Sequence, residues 1–170
     1  MGKRSATARF MANVWVFPGG AVDGSSTGSA TDSDFRAAAL RELEEEASIR
    51  IEDPGELVPF SRWITPEPVK TRYDTRFFLA LAPAHSTPKP DGDEIVEIGW
   101  FEPQAALDRH RAGEMELVFP TIKTLEVLRG FASAEEALSA THWNPTEPVL
   151  PRVVMIEGEP RILLPWEEGY

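Results

Sequence analysis

Four glutamates lie within five consecutive positions of the run Arg41-Glu42-Leu43-Glu44-Glu45-Glu46. Glu42, Glu45 and Glu46 stand at i, i+3 and i+4, so on a helix they share one face within about a turn. Because like charges repel, such a face favours a bound cation. Mg²⁺ prefers oxygen ligands and commonly bridges a few carboxylates to substrate phosphate oxygens. The alternative is a solvated acidic helix face, which is the usual meaning of a charge run.

The helix that must carry these glutamates is predicted from Asp34 to Ala47, with Ser33 or Asp32 as its N-cap. Its apolar stripe repeats at i, i+4 and consists of Phe35, Ala39, Leu43 and Ala47. At about 100° per residue, the carboxylate face lies roughly 90° around the helix from that stripe. The glutamates should therefore border the core, as they would in the wall of a cleft.

The other predicted elements are strands and helices of ordinary length. The strands are expected at 14–17, 57–64, 77–82, 95–101, 152–156 and 161–164, and the helices at 103–111, 120–131 and 133–140. We predict one domain over 1–170 of the α/β (α+β) class, with helices flanking a mixed sheet. It contains a loop at about 21–33 and, at about 103–170, a C-terminal helical segment plus a hairpin.

Composition excludes several classes of function. The 170-residue chain has 42% hydrophobic residues and no cysteine, which removes disulfides, thiolate metal sites and cysteine nucleophiles. Seventeen basic and 28 acidic residues give a net charge of −11, which disfavours nucleic acid as a partner. No apolar run is long enough to span a membrane, and the N-terminus lacks the apolar core of a secretory signal. We therefore expect a cytoplasmic protein that acts on a small molecule.

The glutamate run and the preceding Phe17-Pro18-Gly19-Gly20 turn resemble the signature of the Nudix hydrolases. The matched positions are Gly20, Arg41, Glu42, Leu43, Glu45, Glu46 and Ile49. The segment between Gly20 and Arg41 is seven residues longer than in the family motif. Ser33 replaces the first motif glutamate. Ser48 replaces the motif glycine, so we expect the helix to end somewhat differently, without the usual left-handed glycine.

The resemblance implies an α/β/α sandwich and a Mg²⁺-dependent diphosphatase, with Mn²⁺ as a substitute metal. Glu45 and Glu46 would be the principal metal ligands, and Glu42 a ligand or base. Arg41 would orient a carboxylate, and the backbone carbonyl of Gly20 would face the metal. A further carboxylate would come from Glu94, or alternatively from Glu97; both could also belong to a polar turn before a strand.

The spacing of Arg4, Ser5 and Arg9 before Phe17-Pro18-Gly19-Gly20 resembles the motif of coenzyme A diphosphatases. It departs from that motif at Met1-Gly2-Lys3, where the motif has Leu-Leu-Thr, and at Asn13, where the motif has glycine. Arginine offers a planar fork of donors suited to phosphate, so Arg4 and Arg9 would bind substrate. The segments 62–66, 72–78 and 163–170 resemble the peroxisomal coenzyme A diphosphatases and their bacterial relatives. Arg72 is added to the candidate substrate contacts because it lies in a cluster of basic residues with Arg62, Lys70 and Arg76; the alternative is ordinary surface pairing with nearby acids. The alternative for Arg4 and Arg9 is a partly frayed terminus.

Two other interpretations of function stay open at this point. The substrate could instead be ADP-ribose, a nucleotide sugar or a dinucleoside polyphosphate, because the motif specifies metal chemistry rather than the specificity pocket. A catalytically silent domain that senses a nucleotide is the alternative outside the enzymes. The chain also begins too late for the full strand that usually precedes the Arg4 region, and the resulting sheet edge could be covered in a homodimer.

Overall fold

The structure is a computed structural model that describes residues 1–22, 30–140 and 147–170. The greater part of the predicted 21–33 loop lies outside these ranges. The strands are β1 (Gly2–Arg4), β2 (Trp15–Val16), β3 (Val58–Ile64), β4 (Asp74–Leu79), β5 (Ile95–Ile98), β6 (Arg152–Ile156) and β7 (Glu159–Leu163). The helices are α1 (Asp32–Ala47), α2 (Pro103–Arg111), α3 (Phe119–Leu128) and α4 (Ala134–Ala140), with a 3₁₀ turn at Pro54–Glu56.

These elements confirm the predicted α+β class. The helix 103–111 and the strand 152–156 have the predicted bounds, and the other predicted elements recur with shifted ends. Paired strands run antiparallel, while isolated parallel bridges join Trp15 to Leu117 and Trp63 to Val149. In the described ranges no helix is both long and apolar enough to cross a bilayer. The chain divides into two compact units, so the single-domain organisation stays a prediction.

The first unit comprises Met1–Leu57 and Ala80–Ala140 and contains a three-stranded sheet with the order β2-β1-β5. The central strand β1 was not predicted from the sequence. Its three residues, Gly-Lys-Arg, include no β-branched or aromatic side chain, so its strand propensity is low. It is ordered by pairing on both sides, because Gly2 lies opposite Val16 on one edge and Ile98 on the other.

The hydrophobic core of this unit is built around Trp15, whose side chain is only 6% exposed. Its ring meets Phe101 edge to face, with the ring centroids 5.1 Å apart. The buried members of the cluster are Trp15, Ala106, Leu107, Met115, Leu117 and Leu125. Burial of apolar side chains on this scale is the main term that stabilises the folded state. It anchors strand β2 just before the turn that contains Gly19 and Gly20.

The second unit comprises Val58–Leu79 and Thr141–Tyr170. Within it β3 pairs with β4, and β6 pairs with β7 as the predicted C-terminal hairpin. Arg62 on β3 forms a two-point ion pair with Asp74 on β4, with N–O distances of 2.8 and 2.5 Å. The hydrogen bond from Arg62 lowers the pKa of Asp74. A charge-assisted contact therefore links β3 to β4 near the start of β4.

Helix α1 begins two residues earlier than predicted, and its N-cap is Thr31 rather than Ser33 or Asp32. The Asp34 carboxylate accepts hydrogen bonds from the Thr31 backbone N–H at 2.7 Å and from the Thr31 hydroxyl at 2.6 Å. These bonds lower the pKa of Asp34. An acidic residue three positions after the cap thus satisfies the cap's own amide, which is one half of a capping box.

Helix α1 ends at Ala47 and is capped by Ser48, which adopts the left-handed conformation with φ 55° and ψ 31°. The Ser48 N–H donates to the Glu44 carbonyl at 3.0 Å, and the Ile49 N–H donates to the Leu43 carbonyl at 3.4 Å. These are the bonds that a glycine at this position would form. The expectation of a different helix end is therefore wrong, because serine takes the glycine conformation at the cost of some backbone strain.

Replacing Ser48 by glycine should stabilise the protein by about 0.5–1 kcal/mol, because the left-handed conformation costs a residue with a Cβ more than it costs glycine. The comparison variant is Ser48→Ala, which keeps the Cβ and removes the 3.3 Å hydrogen bond from the Ser48 hydroxyl to the Lys89 carbonyl. Urea unfolding measures both. A glycine variant no more stable than the alanine variant would contradict this explanation.

Candidate functional site

The centre of the candidate site is the carboxylate of Glu46. It is buried, although a glutamate carboxylate is ordinarily ionised at neutral pH and exposed to water. The residue is 3% exposed, and its Oε2 accepts a hydrogen bond from the Gly19 N–H at 2.9 Å. Ala38, Glu42 and Glu46 are spaced by four residues and so lie along one row of α1. Since Ala38 at the start of that row is also buried, the row faces the interior of the first unit.

The surroundings of Glu46 raise its pKa from 4.5 to about 7. Burial is the largest cause, because it penalises the charged form, and the nearby carboxylates of Glu94 and Glu42 raise the pKa further. The Gly19 hydrogen bond and the positive charge of Arg4 act in the opposite direction. Three carboxylates from two separate parts of the chain thus interact electrostatically at one place.

Glu42 lies against the turn that contains Gly20. A Cβ added to Gly20 would overlap the Glu42 carboxylate, so the backbone approaches this side chain as closely as only glycine allows. The Glu42 side chain is 15% exposed, and its Oε1 accepts a hydrogen bond from Arg41 Nη2 at 2.6 Å. The same Nη2 donates to the Ala21 carbonyl at 3.2 Å. Arg41 therefore joins Glu42 to the turn through these two hydrogen bonds, and its orienting role stays a prediction.

Glu45 occupies a different environment from Glu42 and Glu46. Its side chain is 63% exposed, and its Oε2 lies 3.9 Å from Arg41 Nε. A pair this exposed and this long contributes little to stability. The role of Glu45 as a principal metal ligand therefore stays a prediction that rests on the motif.

Glu94 is held by a turn at the start of β5. The Asp91 carboxylate accepts from the backbone N–H groups of Asp93 at 2.6 Å and of Glu94 at 2.8 Å. Glu97, the alternative carboxylate, pairs instead with Lys3 at 2.7 Å. Glu94 raises the pKa of Glu46, and the choice between Glu94 and Glu97 as a ligand stays a prediction.

The three predicted substrate arginines have different surroundings. Arg4 lies in β1 and pairs with Glu94 through Nη2 at 2.8 Å, so it is not part of a frayed terminus. Arg9 is exposed in the segment between β1 and β2. Arg72 belongs to the second unit, where its Nε donates to the Thr65 carbonyl at 3.1 Å. The phosphate-binding roles of all three stay predictions.

The donor set suits a hard cation. Glu42, Glu46 and Glu94 supply carboxylate oxygens, and the close approach of Gly20 places backbone beside them. Such oxygens are the ligands that Mg²⁺ prefers. Across the described ranges, however, no three His, Cys, Asp or Glu side chains converge on a point where they could hold a metal ion. The carboxylates of Glu42 and Glu94 influence Glu46 electrostatically, but cation binding would require the three side chains to converge.

Sequence reasoning missed two contacts at this site. One is the hydrogen bond from the Gly19 N–H to the Glu46 carboxylate. The motif assigns no role to Gly19, which simply precedes the motif residue Gly20. The other is the Arg4–Glu94 ion pair, which joins residues ninety positions apart. A pairing of that separation depends on the register of β1 and β5 and leaves no local signal.

Comparison with known proteins gives matches of three kinds. The model of the NUDIX domain family matches residues 1–120. The Caenorhabditis elegans protein named "Putative nudix hydrolase 7" is 28% identical over 92% of this chain, which spans 63% of that relative's length. The crystal structure of a NUDIX hydrolase from Alicyclobacillus acidocaldarius superposes with a TM-score of 0.71 at 27% identity, covering 85% of this chain and 88% of that one.

Proposed function

This chain belongs to the NUDIX domain family, and from that premise we propose that it is a pyrophosphohydrolase that cleaves a diphosphate linkage with the help of Mg²⁺. The observation that carries the proposal is the Glu46 carboxylate, 3% exposed, with a pKa raised to about 7 by burial and by neighbouring carboxylates. A buried carboxylate whose pKa is raised by other carboxylates nearby is typical of a functional site. Two relatives are named as hydrolases of the same family.

The chain's own groups have distinct tasks in this proposal. Glu46, Glu45 and Glu42 would hold the cation with Glu94 and the Gly20 carbonyl, and Mn²⁺ could replace Mg²⁺. When bound, the cation neutralises charge on the diphosphate oxygens and lowers the pKa of water for attack on phosphorus. The Gly19 N–H fixes one oxygen of Glu46, and Arg41 fixes Glu42. Glu42 is left as either a ligand or the base that accepts the proton of the water.

For the substrate we propose coenzyme A or an acyl-coenzyme A, cleaved to 3',5'-ADP and the corresponding 4'-phosphopantetheine. The support is the motif of Arg4, Ser5 and Arg9, together with the conformation of Asn13. Asn13 has φ 63°, a value that glycine adopts freely and that asparagine adopts more readily than most other residues. Asn13, which replaces the glycine of the coenzyme A diphosphatase motif, therefore keeps a backbone conformation suited to glycine.

Phosphorus NMR and mass spectrometry of reaction products test this function. The protein is incubated with coenzyme A and, separately, with ADP-ribose, each with Mg²⁺ and with EDTA. Mg²⁺-dependent release of 3',5'-ADP and 4'-phosphopantetheine is the expected result. Cleavage of ADP-ribose alone would overturn the proposed substrate and keep the activity. Tight binding of either compound without turnover would favour a silent sensor.

Replacing Gly20 by alanine should lower turnover by about 10–100-fold with little change in the free energy of unfolding. The added Cβ overlaps the Glu42 carboxylate and would displace it, and misplaced catalytic groups lose rate steeply. The matched control is Gly19→Ala, since a Cβ there meets nothing within 4 Å and its N–H is retained. Steady-state kinetics and urea unfolding of both variants check this. Equal loss of activity in the two would refute it.

A further inference from the structure

Arg4 contacts two groups that no local sequence signal connects. Its Nε donates to the Phe10 carbonyl at 3.1 Å, and its Nη2 lies 2.8 Å from Oε1 of Glu94. The Arg4 side chain is 19% exposed, whereas Glu94 is 53% exposed. The guanidinium therefore joins a backbone carbonyl on one side to a carboxylate on the other. Only an arginine offers two such donors in one rigid plane.

The strand register places Arg4 beside Glu94. Gly2 and Lys3 lie opposite Ile98 and Glu97, but the register then shifts, so that Arg4 lies opposite Ile95. An irregularity of this kind re-aims a side chain and occurs often next to active sites. With a regular register Arg4 would lie opposite Val96 instead. The shift thus brings the arginine next to Glu94.

The backbone of Glu94 is fixed on both sides of its Cα. Its N–H donates to Asp91 Oδ1 at 2.8 Å, and its carbonyl accepts from the Ser5 N–H at 2.8 Å. The side chain, by contrast, is more than half exposed, and Arg4 is the ion-pair partner that the structure gives it. An exposed glutamate has several rotamers, and ordering it costs conformational entropy. A partner that orders the side chain in advance removes that cost from ligand binding.

We propose that Arg4 is a positioning residue, which holds the Glu94 carboxylate beside Glu46 so that it can serve as a cation ligand. This inference rests on the proposed metal-dependent function and adds to it a residue that acts through Glu94. Arg4 contacts the carboxylate through Oε1, and this one contact is compatible with a cation at the other oxygen. Outer-shell groups that orient a metal ligand in this way commonly contribute about 10–100-fold in metal affinity. Because a guanidinium carries five N–H donors, holding Glu94 is compatible with a phosphate contact as well.

The alternative roles of Arg4 make different predictions about metal affinity without substrate. A simple counter-ion would weaken cation binding by repulsion, so Arg4→Gln would bind Mn²⁺ more tightly and Arg4→Lys would resemble the wild type. A pure phosphate contact would leave Mn²⁺ affinity unchanged in both variants. A positioning residue requires the two-point geometry, so Arg4→Lys keeps the charge and still loses affinity.

The experiment measures Mn²⁺ dissociation constants by electron paramagnetic resonance, without substrate, for the full chain and its variants. We expect Arg4→Lys and Glu94→Gln each to weaken binding about tenfold, and the double variant to be no weaker than Glu94→Gln alone. Excess Mn²⁺ should restore the kcat of Arg4→Lys. The matched control is Lys3→Gln, which removes the neighbouring β1–β5 ion pair with Glu97 and should leave Mn²⁺ affinity unchanged.

Unchanged affinity in Arg4→Lys, tighter binding in Arg4→Gln, or additive losses in the double variant would each overturn the proposal. Failure of the wild type to bind Mn²⁺ would reject the metal-dependent function itself, and the positioning role with it. Near-UV circular dichroism establishes that each variant is folded. If Arg4→Lys does not fold, NMR of the Arg4 Nε–H group tests the contact instead. The chemical shift of this group should change in Glu94→Gln and should stay at its wild-type value in Glu97→Gln.

Discussion

The substitution Glu46→Gln is expected to lower Mg²⁺-dependent turnover by about 100-fold or more, because it replaces the buried carboxylate of the candidate site by a neutral amide. The amide oxygen can still accept the hydrogen bond that the Gly19 N–H donates to Glu46 at 2.9 Å, so the fold of the turn should persist. The loss of turnover would therefore result from the missing negative charge rather than from altered packing. Glu45→Gln is expected to have a similar effect, on the evidence of the motif.

The control for both variants is Glu44→Gln. Glu44 lies on the same helix, is exposed, and undergoes the same change of charge and shape. It should keep nearly full turnover of whichever substrate the product analysis identifies. Full activity in both Glu45→Gln and Glu46→Gln would reject a metal site on this helix. Loss in Glu46→Gln alone would instead identify the buried carboxylate as the essential ligand and remove Glu45 from the site.

The second expected result is a loss of stability with rising pH in EDTA, attributable to Glu46. Its pKa is about 7 in the folded protein and near 4.5 when unfolded, mainly because of burial. Below pH 4.5 both states are protonated and the contribution of the group is fully present. Between pH 4.5 and 7 the unfolded state ionises first, so folding becomes less favourable. By pH 8 the free energy of unfolding should be lower by about 2–3 kcal/mol. Each pKa unit corresponds to roughly 1.4 kcal/mol, and nearby water screens part of the effect.

Urea unfolding of the wild type and of Glu46→Gln at pH 5 and pH 8 measures this effect. The difference between the two proteins isolates Glu46, because every other titrating group, including Asp34 and Asp74, is common to both. Adding Mg²⁺ at pH 8 should restore stability to the wild type more than to the variant, since a ligand that binds the folded state stabilises it. Parallel pH profiles for the two proteins would show that Glu46 ionises normally.

Local sequence patterns were sufficient for much of the fold. The i, i+4 apolar spacing predicted α1, and turn residues around the C-terminal strands predicted the β6–β7 hairpin. Both signals act over a few residues, so no knowledge of distant contacts is needed. The short strand β1 was missed for the complementary reason. Its residues have little strand propensity, and its order comes from partners on β2 and β5.

The residue types of the candidate site were also visible in the sequence. Oxygen ligands, an acidic helix face and an arginine beside Glu42 follow from residue types and helical spacing. The αL conformation of Ser48 did not follow, because a serine gives no local indication that it will adopt a conformation typical of glycine. In that conformation the Ser48 and Ile49 N–H groups donate to carbonyls of the last turns of α1.

Residue type and spacing therefore establish which groups can do chemistry here and which helix carries them, because those relations are local. The environment of each group depends on the fold. Glu46 is buried while Glu45, one residue earlier, is 63% exposed, since helix rotation and packing place one side chain inward and the other outward. The Arg4–Glu94 contact arises from the pairing of β1 with β5, which brings together residues that no local pattern relates.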